Sequence, residues 1–191
     1  YNDDYLQPQQ LRNLDRELKR TYLAVYHIDQ QKMVQLADRE LPQVFMSDEG
    51  NGDQLVGITD MGKRVQAQWE GRTLKDIYSV SVSDGSRTLV KKSLNGNAQI
   101  SPKGKYIYWY DESAKNYFTW ADGKINNISG KVKVKLYDER FDMPDDPNAY
   151  GIIRWTENDA ALLVYDRYDI WQLDPSCCGT PVNITKGEGR K

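Results

Sequence analysis

Histidine, cysteine and long apolar runs are scarce or missing in this chain, and each shortage removes a class of function. His27 is the only histidine. It sits with Asp29 nearby, inside the alternating run Tyr22-Leu-Ala-Val-Tyr-His-Ile28, which reads as a strand and makes a structural histidine the expectation. The only cysteines are the adjacent Cys177 and Cys178, a spacing that fits neither a zinc ribbon nor a C-x-x-C redox pair. A bond between neighbours is strained, so two thiols in an exposed turn are expected and a disulfide framework is excluded. No serine has a glycine two places before it, so there is no G-x-S-x-G nucleophile elbow. No apolar run approaches the roughly 18 residues needed to cross a bilayer, and no charged-then-apolar leader is present. The first residue is Tyr1, so the missing leader leaves the compartment open.

Excess charge of one sign is also lacking. With 26 basic and 28 acidic residues the net charge is -2, which provides no general electrostatic footprint for nucleic acid or anionic lipid. Neither nucleic-acid binding nor membrane insertion is expected. No cofactor and no metal are implied by any motif.

What the chain does have is enough apolar content for a sizeable core, 39% hydrophobic over 191 residues, and an internal repeat. One pattern is an apolar run, a Ser or Thr with a turn, then a second apolar run ending in Asp: Val44-Phe-Met-Ser47 to Leu55-Val-Gly-Ile-Thr-Asp60. It recurs from Ala98 through Ser101 to Asp111, and from Ile152 through Thr156 to Asp166. The alternating pattern is an aromatic strand, a turn on Asp or Gly, and a β-branched return: Asp76 to Val90, Tyr117 to Ile128, and Asp169 to Thr185. Each pair of patterns gives four antiparallel strands.

The expected fold is therefore all-β, a partial β-propeller. A half blade spans 21–37 and blades span 43–93, 98–130 and 152–186, behind a helical N-terminal segment over 1–20. Propellers close with about four to eight blades, so this chain reads as part of a larger one. Asp84-Gly85 and Asp122-Gly123 predict tight type I′ turns, because that turn needs positive φ at both central residues. Leu11, Leu14 and Leu18 form one helical stripe, expected to be the buried face of a short helix covering a blade edge.

Connections after strands one and three are mostly tight, whereas two long ones, Met61 to Lys75 and Lys131 to Gly151, fall on the opposite face. Binding residues are commonly mounted on long loops, so the working face is expected there. Trp69 and Arg72 in the first could stack on a ligand, although packing is the commoner use of such an aromatic. Asp138, Glu139, Arg140, Asp142, Asp145 and Asp146 in the second could gather carboxylates around a cation. The plainer expectation is a solvated crossover stiffened by Pro144 and Pro147, removable without loss of the fold. Asn127-Ile-Ser129 and Asn183-Ile-Thr185 match the glycosylation sequon but occupy equivalent repeat positions, and are read as repeat structure.

These stretches also carry a family resemblance. Ser101-Pro-Lys-Gly-Lys-Tyr-Ile-Tyr-Trp-Tyr-Asp111, Tyr150-Gly-Ile-Ile-Arg-Trp-Thr-Glu-Asn-Asp159, Tyr165-Asp-Arg-Tyr-Asp-Ile-Trp-Gln-Leu-Asp174 and Pro181-Val-Asn-Ile-Thr-Lys-Gly187 resemble the propeller domain of bacterial prolyl oligopeptidase and dipeptidyl peptidase serine peptidases. Leu14-Asp-Arg-Glu-Leu18 with Tyr22-Leu-Ala-Val25, and Gln68-Trp-Glu-Gly71, fit the same group. The resemblance implies a C-terminal α/β-hydrolase domain in the parent chain, carrying the catalytic Ser, Asp and His. It also implies a peptide substrate screened by the propeller and a periplasmic or envelope location. None of the catalytic residues falls on this chain. The adjacent glutamates with which the dipeptidyl peptidases hold a substrate ammonium have no counterpart, Asp138-Glu139 being the nearest pair. The alternative is a binding propeller of an envelope scaffold protein without peptidase activity. An enzyme complete in these residues is disfavoured by the missing elbow and the lone histidine.

Overall fold

Alternation of apolar and polar residues, broken by short turns, becomes four antiparallel sheets in the computed structural model, which describes residues 4–191. The expected helical segment's residues 1–3 lie outside that range. The chain is mostly β and folds as two compact units, one from residues 4–45 and 53–95, the other from 46–52 and 96–191.

The first unit opens with helix α1 (Gln7–Leu18), followed by a two-stranded hairpin of β1 (Ala24–His27) and β2 (Lys32–Gln35). A four-stranded meander then runs through β3 (Gln43–Phe45), β4 (Gln54–Thr59), β5 (Lys75–Ser81) and β6 (Arg87–Leu94), with α2 (Arg64–Glu70) between β4 and β5. Its core joins Val34, Leu36, Leu41, Leu55 and Val80.

The second unit holds two further meanders. One is β7 (Ala98–Ile100), β8 (Ile107–Asp111), β9 (Asn116–Ala121) and β10 (Lys124–Asn127). The other is β11 (Ile152–Trp155), β12 (Leu162–Tyr165), β13 (Ile170–Leu173) and β14 (Val182–Asn183). Tyr108, Tyr117, Trp155, Leu162, Val164 and Leu173 are buried together between them. Trp155 stacks on Tyr106, 5.8 Å between centroids at 7°, and meets Tyr108 edge-on at 5.1 Å.

The repeat is written into hydrogen bonds as well as strands. Ser129 Oγ accepts from the Tyr117 amide at 2.8 Å and donates to Asn116 Oδ1 at 2.8 Å. Thr185 Oγ1 does the same one sheet later, accepting from the Ile170 amide at 3.2 Å and donating to Asp169 Oδ1 at 2.6 Å. The hydroxyl residues of the two sequons thus tie the fourth strand to the third. Ser101 and Thr156 are a second matched pair, accepting from the amides of Tyr106 and Ala161 at 3.0 and 2.9 Å.

Several expectations are corrected. Asp122 and Gly123 both have positive φ, 50° and 78°, and close β9 onto β10 as a type I′ turn requires. Asp84-Gly85 does not: only Gly85 is left-handed, at 74°, in a wider loop closed by Gly85 N–H to Ser81 O and Ser81 N–H to Ser86 O, each 2.9 Å. There the Asp84 side chain accepts from the Ser86 amide, which holds its carboxyl down at about 2. The loop must also clear the first hairpin: a Cβ on Gly85 would lie 2.7 Å from the Gln35 carbonyl oxygen.

The leucine stripe is not a buried face. Leu11, Leu14 and Leu18 are 74, 48 and 76% exposed, because a periodic stripe defines an apolar face without supplying anything to cover it. The segment from Lys131 to Gly151 is not a removable crossover either. Leu136 and Pro147 are buried, Val132 and Ala149 pack on the second core, and Tyr137 bridges to Ala149. Apolar positions at its two ends belong to the core, and only its tip is solvated. The cysteines are free, and Cys177 is half-buried with its thiol donating to the Asn127 carbonyl at 3.0 Å, so only Cys178 fits the exposed-turn expectation.

Candidate functional site

The first long connection holds a short helix, α2. After β4 ends, Arg64 at the start of α2 reaches back four residues to Asp60 at 2.7 Å, meets Asp4 at 3.6 Å and lies over the Tyr5 ring at 4.6 Å. Lys63 pairs with Asp76, whose carboxyl also accepts from the Ser93 amide. Gly71, at φ 72°, ends the helix in the left-handed cap that such positions favour. Trp69 is 86% exposed, so packing is not its role, and Arg72 is 3.7 Å from Glu70. These two predicted residues share a solvent-facing helix end.

Beside this helix lies a hollow of about 720 Å³ with Arg16, Lys19, Arg20, Arg64 and Lys75 in its wall. A second of about 470 Å³ adds Arg39 and shares Tyr5, Arg20, Pro42 and Arg64 with the first. Sequence reasoning missed this groove because its cations come from α1, the β2–β3 connection, α2 and β5. The only local signal was Arg16, Lys19 and Arg20 at the end of α1, which the helix dipole explains equally well.

The acidic residues of the second connection do not converge. Asp138 Oδ1 accepts from the Arg140 amide at 3.0 Å, and Asp145 Oδ1 from the Asp146 amide at 2.8 Å. Glu139 faces Lys135 at 3.6 Å, Asp146 accepts from Ser113 at 2.8 Å, and Arg140 and Asp142 are exposed. Asp138 and Asp145 serve the turns of their own loop, and Asp146 ties it to the turn between β8 and β9. Among the described residues no three of His, Cys, Asp and Glu are grouped as metal ligands would be. His27 points a ring nitrogen at the Val82 carbonyl at 3.0 Å; a carbonyl only accepts, so that nitrogen donates.

The Tyr165-Asp-Arg-Tyr-Asp-Ile-Trp171 stretch holds two buried carboxylates. Asp166 accepts from the amides of Tyr168 and Asp169 at 2.6 and 2.7 Å and from Trp171 Nε1 at 2.9 Å, while Asp169 accepts from Thr185 and Gly189. Arg190 spans both. Glycine is required at 189, since a Cβ there would fall 1.9 Å from the Tyr168 carbonyl oxygen. Burial works to raise Asp166, but the hydrogen bonds from Trp171, Tyr168, Asp169 and Arg190 outweigh it and hold the carboxyl below the usual range. Thr185, then Arg190, hold Asp169 down in the same way.

Carboxyls lowered in the folded state contribute stability above their unfolded value of about 3.9 and lose it as pH falls through the lowered ones. Arg190→Met is therefore expected to lower the melting temperature at pH 7 and to flatten its fall between about pH 5 and pH 3. Thermal unfolding across that range checks this; parallel curves for variant and parent would remove Arg190 from the account.

No protein family matches the chain, and no curated protein matches it.

Proposed function

We propose that the three four-stranded sheets are propeller blades, with the β1–β2 hairpin as half of another. In this reading the chain is the non-catalytic part of a larger serine peptidase of the prolyl oligopeptidase and dipeptidyl peptidase kind, where it gates or positions peptide substrate. The observation that carries the blade reading lies in the second unit. Two successive meanders with the same internal wiring are joined turn to turn, Ser101 Oγ donating to Asp159 Oδ2 at 2.6 Å. Blades cannot bury both faces alone, and links of this kind stack one on the next. The peptidase reading rests on the resemblance of the sequence, and with it come a C-terminal α/β-hydrolase domain, a peptide substrate and an envelope location.

A fluorophosphonate probe reports an activated serine directly. Applied to the native-length gene product with the 191-residue segment as control, it is expected to label the long product alone. Labelling of neither favours a binding propeller of an envelope scaffold instead.

A further inference from the structure

We infer that the two adjoining hollows of the first unit form a groove for an acidic polypeptide segment carrying several carboxylates. This stands on the groove's own charge and shape and holds whether or not the parent is a peptidase. The groove's cations are Arg16, Lys19, Arg20, Arg39, Arg64 and Lys75. Against them stand Glu17 and Asp60 in the walls and Asp4 beside Arg64. With Lys75, which has a partner of its own, set aside, five cations still face three carboxylates in a chain whose net charge is -2.

The carboxylates already present set the shape of the site. Glu17 accepts from both Nε and NH2 of Arg20, and Asp60 from Nε and NH2 of Arg64, so both guanidinium planes are held in place before any ligand arrives. Those edges are thereby occupied, and the charge left for a ligand lies mainly on the cations outside these two pairs. Lys19 and Arg39 make no ion pair among the described residues, and both are exposed.

The distribution of charge selects the ligand. The cations run through two hollows that meet at Arg20 and Arg64, so a single compact oxyanion reaches only some of them, whereas an extended chain with a carboxylate on successive side chains reaches them in turn. The larger hollow has the size of ordinary ligand sites. The acidic remainder of the molecule repels a long polyanion such as nucleic acid, and a short acidic segment avoids most of that repulsion.

The test is fluorescence anisotropy of a labelled hexaglutamate peptide at low ionic strength, against the whole chain and the Lys19→Gln/Arg39→Gln variant. Both substituted residues are surface groups, and far-UV circular dichroism verifies the fold. Hexaglutamate is expected to bind the parent, to lose affinity with added salt, and to bind the variant about tenfold more weakly. Hexaglutamine is expected not to bind, and inorganic phosphate matched in charge not to displace the peptide. Absence of hexaglutamate binding, equal binding by the variant, or displacement by phosphate mole for mole would each overturn the proposal.

Discussion

Replacing Trp155 with alanine is expected to lower the unfolding free energy by about 4 kcal/mol. Its indole is 6% exposed and carries two aromatic contacts at once, the stacked Tyr106 and the edge-on Tyr108. It lies in the core that also takes Leu162 and, from the long connection, Leu136. Truncation removes the burial of a large ring, two ring pairs of about 1 kcal/mol each, and leaves a cavity between two sheets that turns on both sides hold apart. Trp155→Phe keeps a ring against Tyr108 and is expected to lose about half as much. Urea unfolding followed by far-UV circular dichroism, which does not depend on the lost tryptophan, measures both. A loss under about 1 kcal/mol for the alanine variant would mean that the two sheets do not share one core.

Asp159 is the polar counterpart of that contact. Its side chain is buried and accepts from Ser101 Oγ at 2.6 Å, from the Lys103 amide at 3.1 Å and from the Lys105 amide at 3.4 Å. Alanine there leaves a buried hydroxyl and two amide donors without an acceptor and places Ala at a backbone φ of 55°, which a Cβ disfavours. The expected cost is about 3 kcal/mol. Ser101→Ala leaves the Lys103 and Lys105 amides their acceptor but takes one from the Tyr106 amide, and is expected to cost about 2 kcal/mol. The double variant should cost less than the sum, because the first substitution removes what the second would break. Additive losses in the same urea experiment would show that the hydrogen bond between the two turns is not an energetic link.

The repeat was legible because its elements are local. Ser47, Ser101 and Thr156 mark the same turn, and Ser47 and Ser101 each accept from a glycine amide three residues on, Gly50 at 3.0 Å and Gly104 at 2.8 Å. At the two turns the outcome split, since Asp-Gly states what a backbone can adopt while the hairpin packed against Gly85 decides what it does adopt.

Function-bearing features were less legible for a physical reason. The acidic run from Asp138 to Asp146 is conspicuous in sequence, yet Asp138 and Asp145 are taken up by backbone amides of their own loop and Asp146 by Ser113 in the turn between β8 and β9. The basic groove is inconspicuous, its cations separated by up to dozens of residues and gathered only when α1 and α2 lie beside the same sheet. Arg190 gives no sign in sequence that it closes over Asp166 and Asp169.

The sequence by itself determined the all-β class and the number and order of the strands, because alternation and turn residues act over a few neighbours. Only the tertiary structure decided that the apolar face of α1 stays open, that both ends of the long connection enter the core, and which charges meet, because each depends on what lies across a gap that no local spacing encodes.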